Sequence, residues 1–268
     1  MFIASLNLSY QAKAQGDLLI TPVRVVFEGN KQKADLNLVN TGKDTATYSI
    51  SFRHYNMTEQ GNLVLNEKYD TAQMFSDQYI RIFPRSVTLS PGEGQIIILQ
   101  CRRKADMKAG EYRSHLWFRS EKNYEPLEKD KPVLDSNQLS VTITPIFGIT
   151  IPVIIRSGEV NLSSSLSNLK LETLNDTLQL LNLTINRAGN ISIYGNLIVE
   201  FIPVKGKPYE IGKTKGIGVY TDISKRNVSI KLNVTQGMAL KNGKILVRFT
   251  SPDASKYIQY AQGELVFK

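Results

Sequence analysis

Hydrophobic and polar positions alternate with a period of two along most of this chain, and no long stretch shows the 3.6-residue apolar period of a helix. Lys33–Val39 turns Ala34, Leu36 and Leu38 to one side, and Thr45–Tyr55 does the same with Tyr48, Ile50 and Phe52. Gln95–Arg102 and Glu111–Ser120 continue the pattern. Glu28-Gly29-Asn30, Asn40-Thr41-Gly42, Gln60-Gly61-Asn62 and Ser90-Pro91-Gly92-Glu93 separate these segments. Such clusters make turns, Pro by fixing φ and Gly by supplying the permissive position. Pro22 interrupts Leu18–Phe27, and Pro84 separates Tyr79–Phe83 from Ser86–Leu89. Proline cannot donate to a ladder, so the chain at Pro22 is predicted to lie on a sheet edge or to switch sheets. Asn66–Gln78 is polar and irregular, with at most one helical turn expected.

The most informative stretch is Leu139–Gly158. It begins with strict alternation, Leu139, Val141 and Ile143 against Ser140, Thr142 and Thr144, then runs through Ile146, Phe147, Ile149, Ile151, Val153 and Ile155. A long apolar strand there is either the last strand of one domain or an edge that pairs with another polypeptide. After Gly158 the pattern restarts with segments at Leu169–Leu174, Thr177–Asn186, Gly189–Phe201, Gly216–Asp222, Arg226–Leu232, Gly243–Thr250 and Tyr257–Phe267. Short strands with regular Pro/Gly turns predict an all-β chain of two antiparallel β-sandwich domains, over 15–157 and 158–268.

The net charge of +9 narrows the picture only slightly. Lys and Arg are scattered through turns, without the concentrated basic face and stacking aromatics of a nucleic-acid binder. Cys101 is the only cysteine, which excludes an internal disulfide and a thiolate zinc site; in an alternating strand it reads as a small buried hydrophobe. His54 and His115 are the only histidines, lie in different segments and show no ligand spacing. There is no Gly-x-Ser-x-Gly elbow, and Gly216-Ile217-Gly218 lacks the strand–turn–helix context of a phosphate loop. A non-enzymatic protein without cofactor or metal is expected. At the N-terminus a mildly apolar Met1–Tyr10 precedes Ala12-Lys13-Ala14, the small-x-small form of a signal-peptidase site, so residues 1–14 are expected to be an export signal. No later stretch reaches the length of apolar run that a membrane-spanning helix requires.

These residues resemble the periplasmic pilus (fimbrial) assembly chaperones, in the divergent, archaic-type branch. Thr21–Gly29 (TPVRVVFEG) looks like the family's first strand, and Leu36–Thr41 (LNLVNT) resembles its second. Phe83–Gln95 resembles the proline-containing stretch that leads to the family's Pro-Gly turn, and Gly148–Arg156 (GITIPVIIR) the end of its domain-closing strand. The resemblance covers residues 18–158; beyond that it is architectural. It implies two immunoglobulin-like sandwiches set at an angle, a periplasmic location, and the subunits of a surface structure as partners, with an outer-membrane usher in the same system.

The physical reason for such a protein is plain. A subunit that lacks one strand exposes a groove and an unpaired edge, and would aggregate. A chaperone that lends a strand supplies main-chain bonds, and its alternate side chains fill the groove. Here the donor row would be Leu139, Val141 and Ile143; the same three side chains would serve equally well in their own core. The resemblance also implies a basic pair in the inter-domain cleft that holds the subunit's terminal carboxylate. The arginine of that pair maps onto Arg24. Its lysine partner should fall near Thr150, where the sequence has none, and the nearby Arg156 matches a different family arginine at the domain junction. The competing reading is a scaffold or adhesin-like component that stays in a surface or secretion assembly and never releases its partner.

Overall fold

A computed structural model describes residues 18–67, 74–121, 147–175, 178–233, 240, 242–253 and 255–267. The expected leader (1–14), the charged segment after Glu121 and the donor row Leu139, Val141 and Ile143 lie outside the described residues. The first part of the chain forms strands β1 (Leu18–Thr21), β2 (Val25–Phe27), β3 (Lys33–Asn40), β4 (Ala46–Arg53), β5 (Tyr55–Met57) and β6 (Leu63–Leu65). A single 3-10 turn at Asp77–Tyr79 precedes β7 (Ile80–Phe83), β8 (Ser86–Leu89), β9 (Gly94–Cys101), β10 (Gly110–Glu121) and β11 (Gly148–Ser157). One sheet has the order β1-β3-β9-β7 and the other β2-β11-β10-β4-β8.

Their inner faces bury the alternating residues the pattern singled out. Phe27, Leu36, Leu38, Leu89, Ile97, Leu99, Leu116, Phe118 and Ile155 are all fully enclosed in one cluster. Cys101 is buried in the same cluster, and burial pushes its thiol up from its ordinary value.

The two prolines act as sheet switches. β1 is an edge of one sheet and β2, beyond Pro22, an edge of the other, so both alternatives for this segment hold at once. Pro84 separates β7 from β8 in the same way. One pairing departs from the antiparallel expectation: β2 runs parallel to β11, with Val25, Val26 and Phe27 beside Val153, Ile154 and Ile155. The chain keeps its direction through the switch at Pro22 and arrives alongside β11 travelling the same way.

β11 pairs with β10 along its full length, but with β2 only over those three residues. Among the described residues, the other edge of 148–152 carries no strand.

The second part forms β12 (Leu162–Asn175), β13 (Leu178–Gly189), β14 (Ile193–Pro203), β15 (Tyr209–Val219), β16 (Lys225–Leu232), β17 (Gly243–Thr250) and β18 (Gln259–Phe267). Sheet β12-β13-β16 packs on sheet β15-β14-β17-β18 around Leu181, Ile185, Leu197, Val199, Val219, Val247 and Phe249. β12 starts at Leu162 rather than Leu169, because Ser163–Ser167 pair with β13 without an apolar pattern to reveal them. β15 likewise begins at Tyr209, well before Gly216, and Gly216-Ile217-Gly218 lies inside this strand. No helix among the described residues is long and apolar enough to cross a membrane.

The β5–β6 hairpin stands apart from both sheets of the first sandwich and reaches the second. Its Glu59 carbonyl accepts a hydrogen bond from Asn227 N at 2.7 Å, and Met57 N donates to Asp222 Oδ2 at 2.6 Å. Gly61 at its tip has φ +85°, and a Cβ there would run into the Arg226 guanidinium.

Candidate functional site

The strand pleat gathers the polar residues of the junction on one face. In the β10–β11 register Glu111 lies beside Arg156, Arg113 beside Ile154, and His115 beside Pro152. In the parallel register Val26 lies beside Ile154, and Arg24, two residues before Val26, immediately precedes the paired stretch. Residues two apart on a strand share a face. Glu111, Arg113, His115, Arg156 and Arg24 therefore all point away from the first core, toward the second sandwich.

The second sandwich meets them with Ser192, which is fully buried and lies at the centre of the network. Ser192 N and Oγ both donate to Glu111 Oε2, at 2.9 and 2.7 Å. Arg24 Nη2 donates to Ser192 Oγ at 3.0 Å, and Arg156 Nη2 to the Ser192 carbonyl at 3.2 Å. Arg156 is further balanced by Glu28, at 3.1 Å, and by Glu111, 3.7 Å away. Arg113 lies 3.9 Å from the Tyr220 ring centroid and donates to Asp222 Oδ1 at 3.1 Å. Arg187, on β13, spends its guanidinium on the carbonyls of Gly189, Ile191, Thr221 and Ile223, which ties together the two loops that carry Ser192 and Asp222.

Four guanidiniums thus share the junction with the buried carboxylate of Glu111 and with that of the exposed residue Asp222. Of the two, Glu111 leaves Oε1 buried without a hydrogen-bond partner among the described residues.

Arg24 differs from Arg113 and Arg156, which pair with carboxylates, and from Arg187, whose guanidinium is taken up by backbone carbonyls. It touches Ser192, and its guanidinium lies 4.8 Å from the Tyr194 ring centroid, but among the described residues no carboxylate stands within ion-pair distance of it. Burial lowers its pKa from the ordinary guanidinium value, with Glu111 opposing. It lines an open cleft of about 520 Å³ between the sandwiches. The first sandwich contributes Pro22, Val23, Arg24, Val26 and Arg156; the second contributes Ile191, Ser192, Tyr194, Ile258 and Tyr260. The cleft is therefore an apolar slot with two guanidiniums on its floor, suited to an anionic group with a greasy neighbour.

Of the residues expected at this site, Arg24 lines the cleft. Thr150 does not: it pairs with Trp117 on β10 and is not among the residues that line the cleft. The second cation comes from Arg156, on the same face of β11 as Ile154.

Sequence reasoning missed Glu111, Arg113, Ser192 and Arg187. Glu111, Arg113 and His115 did alternate visibly with Tyr112 and Leu116, a polar stripe on the outward side of a strand whose other side is core. Ser192 and Arg187 gave no signal. The two histidines, read as unrelated, lie close together. His115 is enclosed between Tyr55 and Tyr220, with ring centroids at 5.1 and 5.9 Å, and His54 stacks on Phe75 at 3.9 Å. Burial drives the His115 pKa down to about 3, with Arg113, Arg24 and His54 adding to the effect.

No protein-family model and no curated protein matches the chain. Its fold is similar to solved pilus chaperones. One is the YadV chaperone, with 16% identity, 93% of this chain and 99% of that one covered, and a TM-score of 0.44. Another is a CsuC–CsuE chaperone–tip adhesion subunit pre-assembly complex from archaic chaperone-usher Csu pili of Acinetobacter baumannii, at 15% identity, 92% and 99% coverage and a TM-score of 0.44. A third is the CupB2 chaperone of Pseudomonas aeruginosa, at 11% identity, 93% and 100% coverage and a TM-score of 0.42.

Proposed function

We propose that this chain is a periplasmic chaperone for the assembly of pilus or other cell-surface subunits, and that it holds incomplete subunits by lending them a strand. The observation that carries the reading is where the open edge of β11 ends. Residues 148–152 have a free edge among the described residues, and that edge stops at the cleft where Arg24 has no carboxylate to pair with. A subunit strand laid along this edge would bring its chain end to Arg24, which can bind a carboxylate with two parallel hydrogen bonds. Upstream, the same segment continues to Leu139, Val141 and Ile143, the row proposed to fill the subunit's groove. Arg156 lends positive potential to the cleft, but its own hydrogen bonds to Glu28 and Ser192 leave Arg24 as the anchor. The order and spacing of residues 18–158 support the same reading. Export through residues 1–14 would deliver the chain to the compartment where such subunits need protection, and an outer-membrane usher would receive them.

The test is to isolate the protein from the cell envelope and identify what it carries, for the native chain and for Val141→Asp. A donor role predicts that the native chain brings down subunits that are incomplete alone, and that Val141→Asp loses them while its thermal unfolding is unchanged. A buried unpaired charge costs several kcal/mol, so the loss should be complete. Binding that survives the substitution rejects donation through this segment, and unfolding together with loss of binding places Val141 in its own core. A partner that never exchanges indicates the scaffold.

A further inference from the structure

The cleft holds more than a site for an anion. Much of its lining is apolar and comes from the second sandwich: Ile191, Tyr194, Ile258 and Tyr260 line it together with Val23 and Val26 of the first. Two of these side chains are apolar and well exposed at the mouth, Val23 at 63% and Ile258 at 42%. Tyr260 lies within electrostatic reach of both arginines, which oppose the rise in its pKa caused by burial.

A terminal carboxylate bonded to Arg24 has its own side chain attached one carbon away. Val23, Ile258 and Tyr260 line the same cleft as Arg24, so a side chain on that carbon would lie among them.

We propose that this slot reads the last side chain of the bound polypeptide, so that the second sandwich selects clients ending in a large apolar residue. The inference rests on the carboxylate reading above and adds to it a specificity that the anchor alone does not have. Charge complementarity fixes the occupant: the slot carries two cations, and among the described residues its lining has no acidic group that would suit a basic side chain. A polar or absent side chain would leave the slot wet and its apolar walls exposed. A Leu or Phe would exclude that water and gain about tenfold or more in affinity, the return expected for burying most of such a side chain.

The experiment uses the full chain and short synthetic peptides of one alternating Val/Thr sequence that end in Leu, Phe, Gly or Ser, each as free acid and as amide. Dissociation constants are measured by fluorescence anisotropy for the native protein and for Ile258→Ser. Ile258 is exposed at the rim, so the fold should tolerate the change, and thermal unfolding of the variant checks this. The inference expects the Leu and Phe acids to bind about tenfold more tightly than the Gly and Ser acids. It also expects Ile258→Ser to shrink that ratio toward one, and amidation to weaken every peptide.

A ratio near one, with amidation still weakening all four, overturns the side-chain slot and leaves the anchor standing. A ratio that survives in Ile258→Ser, with its unfolding unchanged, also overturns the slot. Indifference to amidation overturns the anchor and the slot with it, as does no binding of any peptide at about 1 mM, a concentration that would detect even a contact worth about 4 kcal/mol.

Discussion

The interior of each sandwich and the junction between them are built on opposite principles. The cores around Leu99 and Phe249 are dry and apolar, and their residues are fixed by the two-residue period. The junction is only partly enclosed and is made of Glu111, Ser192, Asp222 and four arginines, with a buried carboxylate oxygen lacking a hydrogen bond among the described residues. Swapping a buried polar set of this kind for well-packed apolar residues is often neutral or stabilising, so stability alone does not account for it. What the polar set supplies is a network of hydrogen bonds and ion pairs that joins the two sandwiches, and a surplus of positive charge on a surface that stays partly open.

The comparison is tested most severely at Glu111. Glu111→Ala leaves Arg113 and Arg156 without their shared carboxylate and strips Ser192 of its acceptor, so a loss of about 3–5 kcal/mol is expected. Small-angle scattering should show the sandwiches losing their fixed relation. If the variant keeps both its stability and its shape, the junction is not held electrostatically.

Leu99→Ala, in the first core, should cost about 2–5 kcal/mol by opening a cavity, and should leave the relation between the sandwiches as it was.

His115 sharpens the contrast through pH. Its folded pKa of about 3 lies below the ordinary histidine value, so the folded state resists its protonation. The stability contributed by neutral His115 is complete above roughly pH 6.5 and drains away as the pH falls toward about 3, amounting to about 2–3 kcal/mol by pH 4.5. The melting temperature should therefore fall between pH 6.5 and 4.5, before most carboxylates titrate. His115→Gln should flatten that limb; an unchanged slope would assign it to other groups.

If the proposed function holds, Arg24→Ala should weaken binding of the carboxylate-ended client by about 1.5–3 kcal/mol, the scale of a hydrogen bond to a charged group, and amidating the client should cause no further loss in the variant. Because Arg24 also bonds Ser192 and stacks on Tyr194, a small drop in melting temperature accompanies it. A large drop, with amidation doing nothing, would make Arg24 a structural clamp.

The smallest effect is expected in the hairpin. Gly61→Ala forces a side chain into a left-handed conformation and against Arg226, which should cost about 1 kcal/mol and loosen the bridge to Asn227.

The two regions also differ in how much of them could be read from the sequence. The cores were legible because burial on one face of a sheet imposes alternation: Leu36, Leu38, Ile97 and Leu99 declare themselves without knowledge of their partners. The sheet switch at Pro22 was legible because proline lacks an amide hydrogen. The serine-rich start of β12 and the polar start of β15 were not, since their pairing comes from neighbouring strands rather than from their own side chains. At the site, Arg24 was singled out only by the resemblance of Thr21–Gly29 to the first strand of the pilus chaperones. The pairing of Arg156 with Glu111 depends on the β10–β11 register, and Ser192 enters only when the second sandwich docks. Such contacts join residues far apart in the chain, and no period records them.

The brevity of β2 has one more consequence. It occupies the edge of β11 only at Val153–Ile155, so a strand added to that edge meets a physical stop there. Pairing against an edge normally leaves register open to slippage, and a slip of one residue turns every side chain to the wrong face. A strand whose end abuts β2 has nowhere to slip in that direction. Under the proposed reading, β2 serves as the zero mark of a ruler: the guest is measured from its own terminus, and which of its residues face the groove follows from counting back.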